Sequence, residues 1–532
     1  MVVTYGQLWA ADPAAWRRAG AAWRRVVGLL GRRGVEISEA AQALRAHWSG
    51  PAGRAADAAL TRLRTQLDAG RPALVEVDQI CAEHAALLAQ AKAMLDATVT
   101  SGAAAGVVVD RHGRAFLDPA GSRPGVRATV ALHETTAGIA AALRLATAAD
   151  REAAHRLSDV AAAAAAGWPV EPPPTRPAAG AEPAAVRDWW EGLTAAQRRW
   201  LVLREPATIG RLDGVPVAAR DQANRLLLET QRAGLLHRWA RRRDRPGLEL
   251  ARVEAALTGL DAIEDRLAAD SGPRAYLLGL DTAGDGRVIV AVGNPDRADN
   301  VLTYVPGMTS DLARADREFA RALQVVRRCV ELGPTEQTAA VLWLDYDAPD
   351  FVHEAFRASF AHDAAPTLHR FQEGLRATHE GPPAHQTVLG HSYGSLVVGV
   401  TARDHGLAAN SLIFVGSPGV GVDSADDLGV PATQVWSTTA RNDIVQYAAP
   451  AVDQVLEQIG LGARLPVVGP PLALLTPDDE LWFGHNPVDP GFGGRVFHGD
   501  ARGHSGYWDR GNPALDGMAR ITLGGDHQLA VR

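Results

Sequence analysis

A serine set between glycines, in Gly390-His391-Ser392-Tyr393-Gly394, constrains the fold of this chain more than any other feature. An apolar run, Thr387–Leu389, comes directly before it, and a helix-like run, residues 395–400, follows. A G-x-S-x-G sequence between a strand and a helix is typical of a sharp turn that lifts the serine hydroxyl above the end of a sheet. Glycines flank such a turn because a side chain there would collide with the neighbouring strand and helix. Ser392 is therefore the candidate nucleophile.

The bulk composition excludes several classes of protein. The 532 residues are too many for one core, so we expect two or three domains. A net charge of −7 argues against nucleic-acid binding, which needs a basic stripe. The first residues lack the layout of a Sec signal, and the longest apolar stretch, residues 160–170, is too short for a transmembrane segment. Cytoplasmic location is the default expectation. Cys81 and Cys329 are expected to be buried free thiols.

The N-terminal region is predicted to form long helices. A seven-residue apolar repeat keeps one seam facing a partner helix. The residues of this repeat are Trp9, Trp16, Trp23, Leu30, Ile37 and Leu44. The repeat ends at Trp48-Ser49-Gly50. Pro51 then suits the first position of a second helix, whose apolar pattern continues to Leu95.

Two long helices joined at W-S-G resemble the helical-hairpin proteins named after their W-x-G turn, which are associated with type VII secretion. The exported members carry a Tyr-x-x-x-acid signal after the second helix, and this chain has no tyrosine there. Two interpretations of residues 1–167 follow. In the first, the region is an address or docking device, for type VII-type export or for a helical-hairpin partner. In the second, it is a bundle that packs on the rest of the chain or forms a homodimer.

Composition divides the chain into four parts. Residues 1–167 form the helical domain, and residues 168–186, rich in proline and alanine, are a linker. Residues 187–270 are a helical segment that leads into a catalytic domain, residues 271–532. The clusters Trp189–Leu193, Ile209–Pro216 and Arg220–Arg225 resemble the segment that precedes the catalytic domain in an actinobacterial family of α/β-hydrolases with no assigned substrate.

From Ala275 onward the pattern changes to alternating strands and helices. An antiparallel hairpin, residues 276–292, comes first, and further strands follow near residues 301, 339, 387, 412, 433 and 495. This order predicts a mostly parallel sheet covered by helices on both faces, with Ser392 after the fifth strand. The expected fold class is thus the α/β-hydrolase fold, preceded by an all-α N-terminal region.

A serine nucleophile needs a base, and the base needs a carboxylate that orients it. In this fold the order along the chain is Ser, then Asp or Glu, then His. For the acid we select Asp443, in the loop that leaves the strand near Val435, where lipase-like hydrolases have a similar D-[IV]-V sequence. The rival acids are Asp423, Asp426 and Asp427.

For the base we select His504, which follows the last strand. The sequence His504-Ser505-Gly506-Tyr507-Trp508 matches an H-S-x-Y-W motif of the same hydrolase family. His498, which ends that strand, is the main rival, and His485 and His527 are the others. Two N–H groups should bind the oxyanion: that of Tyr393, and that of Met308 in the loop after the third strand, with its neighbour Thr309 as the alternative.

These residues predict a serine hydrolase acting on an ester-like or lipid-like substrate, with no metal and no organic cofactor. An apolar insertion within residues 445–490, holding a short helix at 452–459 and a proline-rich stretch at 465–472, is expected to cover the pocket as a lid. The alternatives are a secretion-linked effector or partner, and a non-catalytic scaffold on a hydrolase fold.

Overall fold

The computed structural model describes residues 2–118, 126–245, 247–269, 272–351, 354–440, 442–443, 445, 480–500 and 503–525. The expected lid segments, 452–459 and 465–472, and the candidate His527 lie outside these residues. Within the described ranges, none of the helices combines the length and the apolar character needed to cross a bilayer.

Helices dominate the first half of the chain and alternate with strands in the second. The helices of the described residues are α1 (Tyr5–Ala10), α2 (Pro13–His47), α3 (Pro51–Ala104), α4 (Val126–Ala165), α5 (Pro183–Glu191), α6 (Ala195–Arg204), α7 (Pro206–Ile209), α8 (Val217–Arg242), α9 (Leu248–Ala268), α10 (Ala315–Leu332), α11 (Ser359–Thr378), α12 (Tyr393–His405) and α13 (Pro513–Thr522). Helix α5 begins at Pro183, inside the segment expected to be linker.

Helices α2 and α3 form the predicted hairpin. Gly50 has φ of +101°, a conformation that favours glycine, and Pro51 starts α3. The fully buried residues of α2 are small: Gly20, Ala21, Gly34 and Ala41. Of the predicted repeat, Trp16 packs edge-on against His84 of α3, with the ring centroids 4.4 Å apart. Trp9 is 52% and Trp23 40% exposed. Small residues allow α2 and α3 to approach closely, so large side chains such as Trp23 lie at the edge of the contact.

The strands form one large sheet and two small hairpins. They are β1 (Val107–Val109), β2 (Ala115–Leu117), β3 (Ala275–Asp281), β4 (Arg287–Val292), β5 (Asn300–Val305), β6 (Thr338–Leu344), β7 (His385–His391), β8 (Ser411–Val415), β9 (Val435–Thr438), β10 (Glu480–Leu481), β11 (Gly484–His485) and β12 (Arg495–Val496). The large sheet has eight strands in the order β12-β9-β8-β7-β5-β6-β4-β3. Strand β4 is antiparallel to both its neighbours, and the other pairs are parallel.

The strand order reverses direction beside β7. The crossover from β5 through α10 leads to β6 on one side, whereas the crossover from β7 through α12 leads to β8 on the other. Right-handed crossovers in opposite directions place α10 and α12 on opposite faces. Strands β5 and β7 are themselves paired and parallel, so the loops after them open a crevice at the topological switch point. The expected fold class, a mostly parallel α/β-hydrolase sheet preceded by a helical region, is confirmed.

Asp296 connects three elements of this domain and makes its stability depend on pH. Its carboxylate accepts hydrogen bonds from the Val217 N–H (2.7 Å) and the Thr378 hydroxyl (2.5 Å). Burial raises the pKa of Asp296 to about 7. The folded protein therefore holds a proton that the unfolded chain releases, and stability is lost as the pH rises from about 4 to about 7.

We expect Asp296→Asn to remove this pH-dependent loss of unfolding free energy, which amounts to at most about 4 kcal/mol. Urea unfolding of both proteins at several pH values between about 4 and 8 measures it. Unfolding free energies that fall in parallel for the two proteins would contradict the assignment.

Candidate active site

Ser392 lies at the sharp turn between β7 and α12. Its backbone has φ of 54° and ψ of −128°, a region that non-glycine residues rarely adopt. The Ser392 N–H donates to the Val415 carbonyl (3.0 Å), at the end of the adjacent strand β8. The turn therefore holds the serine at the carboxyl end of the sheet, as the sequence predicts.

The two flanking glycines are required because a side chain does not fit at either position. A Cβ on Gly394 would lie 2.2 Å from the Val305 carbonyl oxygen, and one on Gly390 would lie 2.6 Å from the Ser395 Cα. Backbone atoms cannot move away from such contacts without displacing β5 or α12. The spacing of the motif is thus a consequence of how tightly the helix packs on the two central strands.

The loop after β5 reaches the serine. A Cβ on Gly307 would lie 2.7 Å from the Ser392 Cβ and 3.1 Å from the Tyr393 nitrogen. Tyr393 is the first residue of α12, where an N–H has no carbonyl one turn earlier to accept its hydrogen bond. The Thr309 N–H, in contrast, donates to the Pro349 carbonyl (2.8 Å). The Thr309 N–H is therefore engaged within its own part of the chain, and the assignment of Met308 as oxyanion donor stays a prediction.

Asp443 and His504 lie in direct contact. The His504 Nδ1 is 2.9 Å from each oxygen of the Asp443 carboxylate. Asp443 is fully buried, whereas 30% of the His504 side chain is exposed. Burial alone would raise the pKa of Asp443, but the hydrogen bond and charge of His504, helped by Tyr507 and the Val445 N–H, hold that pKa below its ordinary value. The carboxylate therefore stays ionised beside the imidazole.

The Asp443–His504 pair stands beside the serine turn. A Cβ on Gly416 would lie 2.8 Å from an Asp443 oxygen and 3.2 Å from the His504 Cε1. Gly416 directly follows Val415, the residue that accepts the Ser392 N–H. Among the described residues, the His504 ring donates to Asp443 and to no other side chain. A bond from the serine hydroxyl to the base often forms only when substrate is bound.

Two residues that the sequence reasoning left without a role hold this pair. The His391 Nε2 donates to the His504 carbonyl (3.0 Å), and the two rings lie 4.8 Å apart. Burial, with the nearby His504, lowers the pKa of His391 well below its ordinary value, so the ring is neutral. The Tyr507 hydroxyl donates to Asp443 (2.6 Å). The feature of the sequence that could have identified Tyr507 is its position three residues after His504, on the same turn.

The rival candidates lie elsewhere. His498 pairs with Asp500 at 3.0 Å, and His485 pairs with Asp489 at 2.9 Å. The rival acids Asp423, Asp426 and Asp427 are exposed. Asp423 accepts only from the backbone N–H of His485 (3.3 Å), whereas Asp443 contacts the imidazole ring of His504 itself, among the residues that the structure describes.

Aromatic side chains line the neighbourhood of the serine turn. The Tyr393 ring packs edge-on against Phe483 at 6.0 Å, and Phe356 contacts Trp482 at 4.2 Å. The Trp482 indole N–H donates to the Phe356 carbonyl (3.0 Å), and the Tyr393 hydroxyl donates to the Arg357 carbonyl. Phe356, Trp482 and Phe483 are half-buried, so they present apolar surface beside the elbow.

Two cavities of the described residues lie away from Ser392. One of about 360 Å³ separates α3 from the sheet, lined among others by Asp78, Leu87 and Tyr276. Another of about 360 Å³ lies under the proline-rich segment, near Trp189 and Arg370. In the described ranges, no three His, Cys, Asp or Glu side chains gather as metal ligands would.

Comparison with known proteins supports the fold. A family model described as Alpha/beta hydrolase matches residues 281–454. The uncharacterized protein Rv2079 of Mycobacterium tuberculosis is 29% identical over 395 residues, which cover 68% of this chain and 58% of that protein. The uncharacterized protein Mb0988c of Mycobacterium bovis is 33% identical over 204 residues, which cover 36% of this chain and 76% of that protein. The chain thus spans little more than half the length of the first relative.

Among solved structures, a highly thermostable carboxyl esterase from Bacillus coagulans in complex with glycerol is similar at 15% identity. The match covers 35% of this chain and 51% of that chain, with a TM-score of 0.19. A similarity of this size has no bearing on the assignment of site residues.

Proposed function

Because the chain belongs to the alpha/beta hydrolase family, we propose that it is a serine hydrolase that cleaves ester-like or lipid-like acyl substrates through Ser392, His504 and Asp443. The observation that carries the proposal is the contact between Asp443 and His504 at 2.9 Å, beside a serine held in a strained turn. Strain of this kind is characteristic of functional sites, where the surrounding structure holds a side chain in its reactive position.

The reaction is acyl transfer in two steps. His504 takes the proton of the Ser392 hydroxyl as the oxygen attacks the acyl carbonyl, and the tetrahedral intermediate expels the alcohol, which takes that proton. Water then attacks the acyl-enzyme with His504 again as base, so the acid is released and Ser392 recovers its proton. Asp443 holds the ring with Nδ1–H towards itself and Nε2 towards the serine, and it stabilises the imidazolium that forms.

The oxyanion of the intermediate is bound by the Tyr393 and Met308 backbone amides. Gly307 lets the two loops approach closely, because a Cβ at this position would lie only 2.7 Å from the Ser392 Cβ and 3.1 Å from the Tyr393 nitrogen. The Tyr346 hydroxyl donates to the Pro306 carbonyl (2.6 Å) and braces this loop. Donors fixed before the reaction stabilise charge without the cost of reorienting solvent.

The half-buried aromatic residues Phe356, Trp482 and Phe483 favour an apolar acyl group. Aromatic side chains offer large apolar area and little flexibility, so they suit a pocket for hydrocarbon.

A series of p-nitrophenyl esters of increasing acyl length tests the substrate class. We expect hydrolysis of these esters, with kcat/KM increasing with acyl length by roughly 10-fold or more per few methylenes that enter an apolar pocket. Charged peptide anilides should be poor substrates. A strict preference for those peptides would contradict the proposed class.

Two histidine variants serve as a matched pair in the same assay. His504→Ala should lose ester hydrolysis by at least about 10⁴-fold, because the base is gone. His498→Ala should remain close to the wild type, since His498 pairs with Asp500 at the surface. The reverse result would assign the base to His498.

A further inference from the structure

The phenol of Tyr507 is fixed between two groups of the loop that carries Asp443. Its hydroxyl donates to Asp443 Oδ2 (2.6 Å) and accepts from the Ala440 N–H (3.0 Å). The side chain is fully buried. A hydroxyl that both donates and accepts has its orientation determined by those two partners. It therefore defines where one carboxylate oxygen lies relative to the backbone of its own loop.

The base and this phenol are carried by the same short turn. Residues Gly506–Trp508 form a 3-10 turn, and His504 lies three residues before Tyr507. The Asp443 carboxylate then accepts from the His504 ring with both oxygens, from Tyr507 with Oδ2 and from the Val445 N–H (3.0 Å) with Oδ1. Donors on both oxygens leave the plane of the carboxylate little freedom to rotate.

We propose that Tyr507 is a positioning residue, whose hydroxyl acts through Asp443 to hold the imidazole of His504 in register with Ser392. The inference rests on the proposed function and adds a fourth side chain to it. It also gives the tyrosine of the H-S-x-Y-W sequence a physical reason, because a phenylalanine there would fill the same space without fixing the carboxylate.

The phenol is suited to this role because it stays protonated. Burial, together with the charge of Asp443, raises the pKa of Tyr507 above its ordinary value, so the hydroxyl remains a donor across the working range of pH. Other charged or titratable groups around the pair are His391, against the His504 ring, and Arg321, whose guanidinium lies 4.7 Å from the Trp508 ring. Neither contacts Asp443 among the described residues.

Tyr507→Phe in the full-length protein tests the inference. Rates are expressed per active site, counted by titration with a fluorophosphonate, so that a smaller folded fraction does not affect them. We expect kcat for a p-nitrophenyl ester to fall roughly 10–100-fold with KM unchanged, the size usual for loss of a residue that orients a reacting group. Tyr276→Phe is the matched control, since its buried hydroxyl lies 3.4 Å from the Glu83 carboxylate, away from the serine.

The pH profile separates positioning from a merely structural role. Without the phenol the carboxylate is a stronger base, so the imidazole should keep its proton to higher pH, and the acidic limb of kcat/KM should move upward. If the wild type is active but the acidic limb of the Tyr507→Phe variant does not move, or its kcat per active site is unchanged, the inference is wrong. A wild type without ester hydrolysis or labelling would instead overturn the proposed function, and the inference with it.

A second replacement covers the case in which Tyr507→Phe does not fold. A ring-fluorinated tyrosine at position 507 keeps the shape and is a stronger hydrogen-bond donor. The acidic limb should then move to lower pH, opposite to the phenylalanine variant. A limb that stays in place would count against Tyr507 as a positioning residue.

Discussion

Ser392→Ala is expected to lower kcat for ester hydrolysis by roughly a millionfold, the scale found when a triad nucleophile is removed. The variant should fold, because alanine keeps the Cβ and loses only a hydroxyl that makes no hydrogen bond among the described residues. The backbone bond from residue 392 to Val415, which holds the turn, does not involve the side chain. The expected phenotype is therefore a stable protein without turnover.

The control for this variant is Ser411→Ala. Ser411 is a buried serine at the start of β8, at the opposite end of the sheet, and its hydroxyl donates to the Gln434 side chain (2.9 Å). Its loss should cost about 1 kcal/mol of stability and leave kcat unchanged. Steady-state kinetics with circular dichroism for both variants give the comparison. Substantial turnover by folded Ser392→Ala would assign the nucleophile to another residue.

Asp78→Asn is expected to destabilise the protein by about 3–5 kcal/mol, because it removes one charge from a buried ion-pair network. Asp78 lies on α3 and is 1% exposed. Its carboxylate is 2.7 Å from the Arg274 Nε and 3.4 Å from the Arg24 Nε. Arg274 in turn lies 2.8 Å from Asp221 of α8. Without the Asp78 charge, the buried guanidinium of Arg274 keeps only one of its two carboxylate partners, that of Asp221.

Urea unfolding followed by tryptophan fluorescence measures this effect. Glu36→Gln is the control, since Glu36 pairs with Arg33 on the exposed side of α2 and a surface pair contributes little. Equal unfolding midpoints for Asp78→Asn and the wild type would contradict the account. The network joins the helical region to the catalytic domain, so we also expect Asp78→Asn to expose the junction to limited proteolysis.

The same contacts bear on the W-x-G resemblance. Gln79 of α3 donates to Asp221 (2.9 Å) and to the Ala218 carbonyl (3.0 Å), and Glu83 accepts from Asn294 (2.9 Å). One face of the hairpin is therefore used within the chain. The docking interpretation of this region stays a prediction, and the outer face of α2, where Trp23 is 40% exposed, is one surface that could serve it.

The elbow could be predicted from sequence because its determinants are local. Strand, glycines, serine and helix occupy some twenty consecutive residues, and their order allows few alternatives. The sheet order followed for a related reason, since each strand is an apolar run and right-handed crossovers restrict the arrangement. The order of strands also predicted which loop faces the serine and Met308 as its oxyanion donor; the bond from the Thr309 N–H to Pro349, which bears on the alternative Thr309, appears only in the structure.

Contacts between distant residues were beyond the sequence. Asp443 and His504 are separated by 61 residues, and family order suggested their pairing without showing the geometry. The bond from Tyr507 to Asp443 spans 64 residues; the spacing of three residues from His504 draws attention to Tyr507 but does not indicate its partner. The repeat in α2 indicates the period of a helix face, and its Trp16 packs against His84 of α3, but the sequence did not indicate that the fully buried residues of α2 are glycine and alanine. Gly20 approaches Asp78 and Cys81 there.

The central claim is that the hydroxyl of residue 392 is the nucleophile. Its most direct test is to treat the wild-type protein with a fluorophosphonate and locate the adduct by peptide mass spectrometry. The account predicts one phosphonyl group per chain, on Ser392, and none on the Ser392→Ala protein. An adduct on another residue, or a folded wild type that is not labelled, would contradict it.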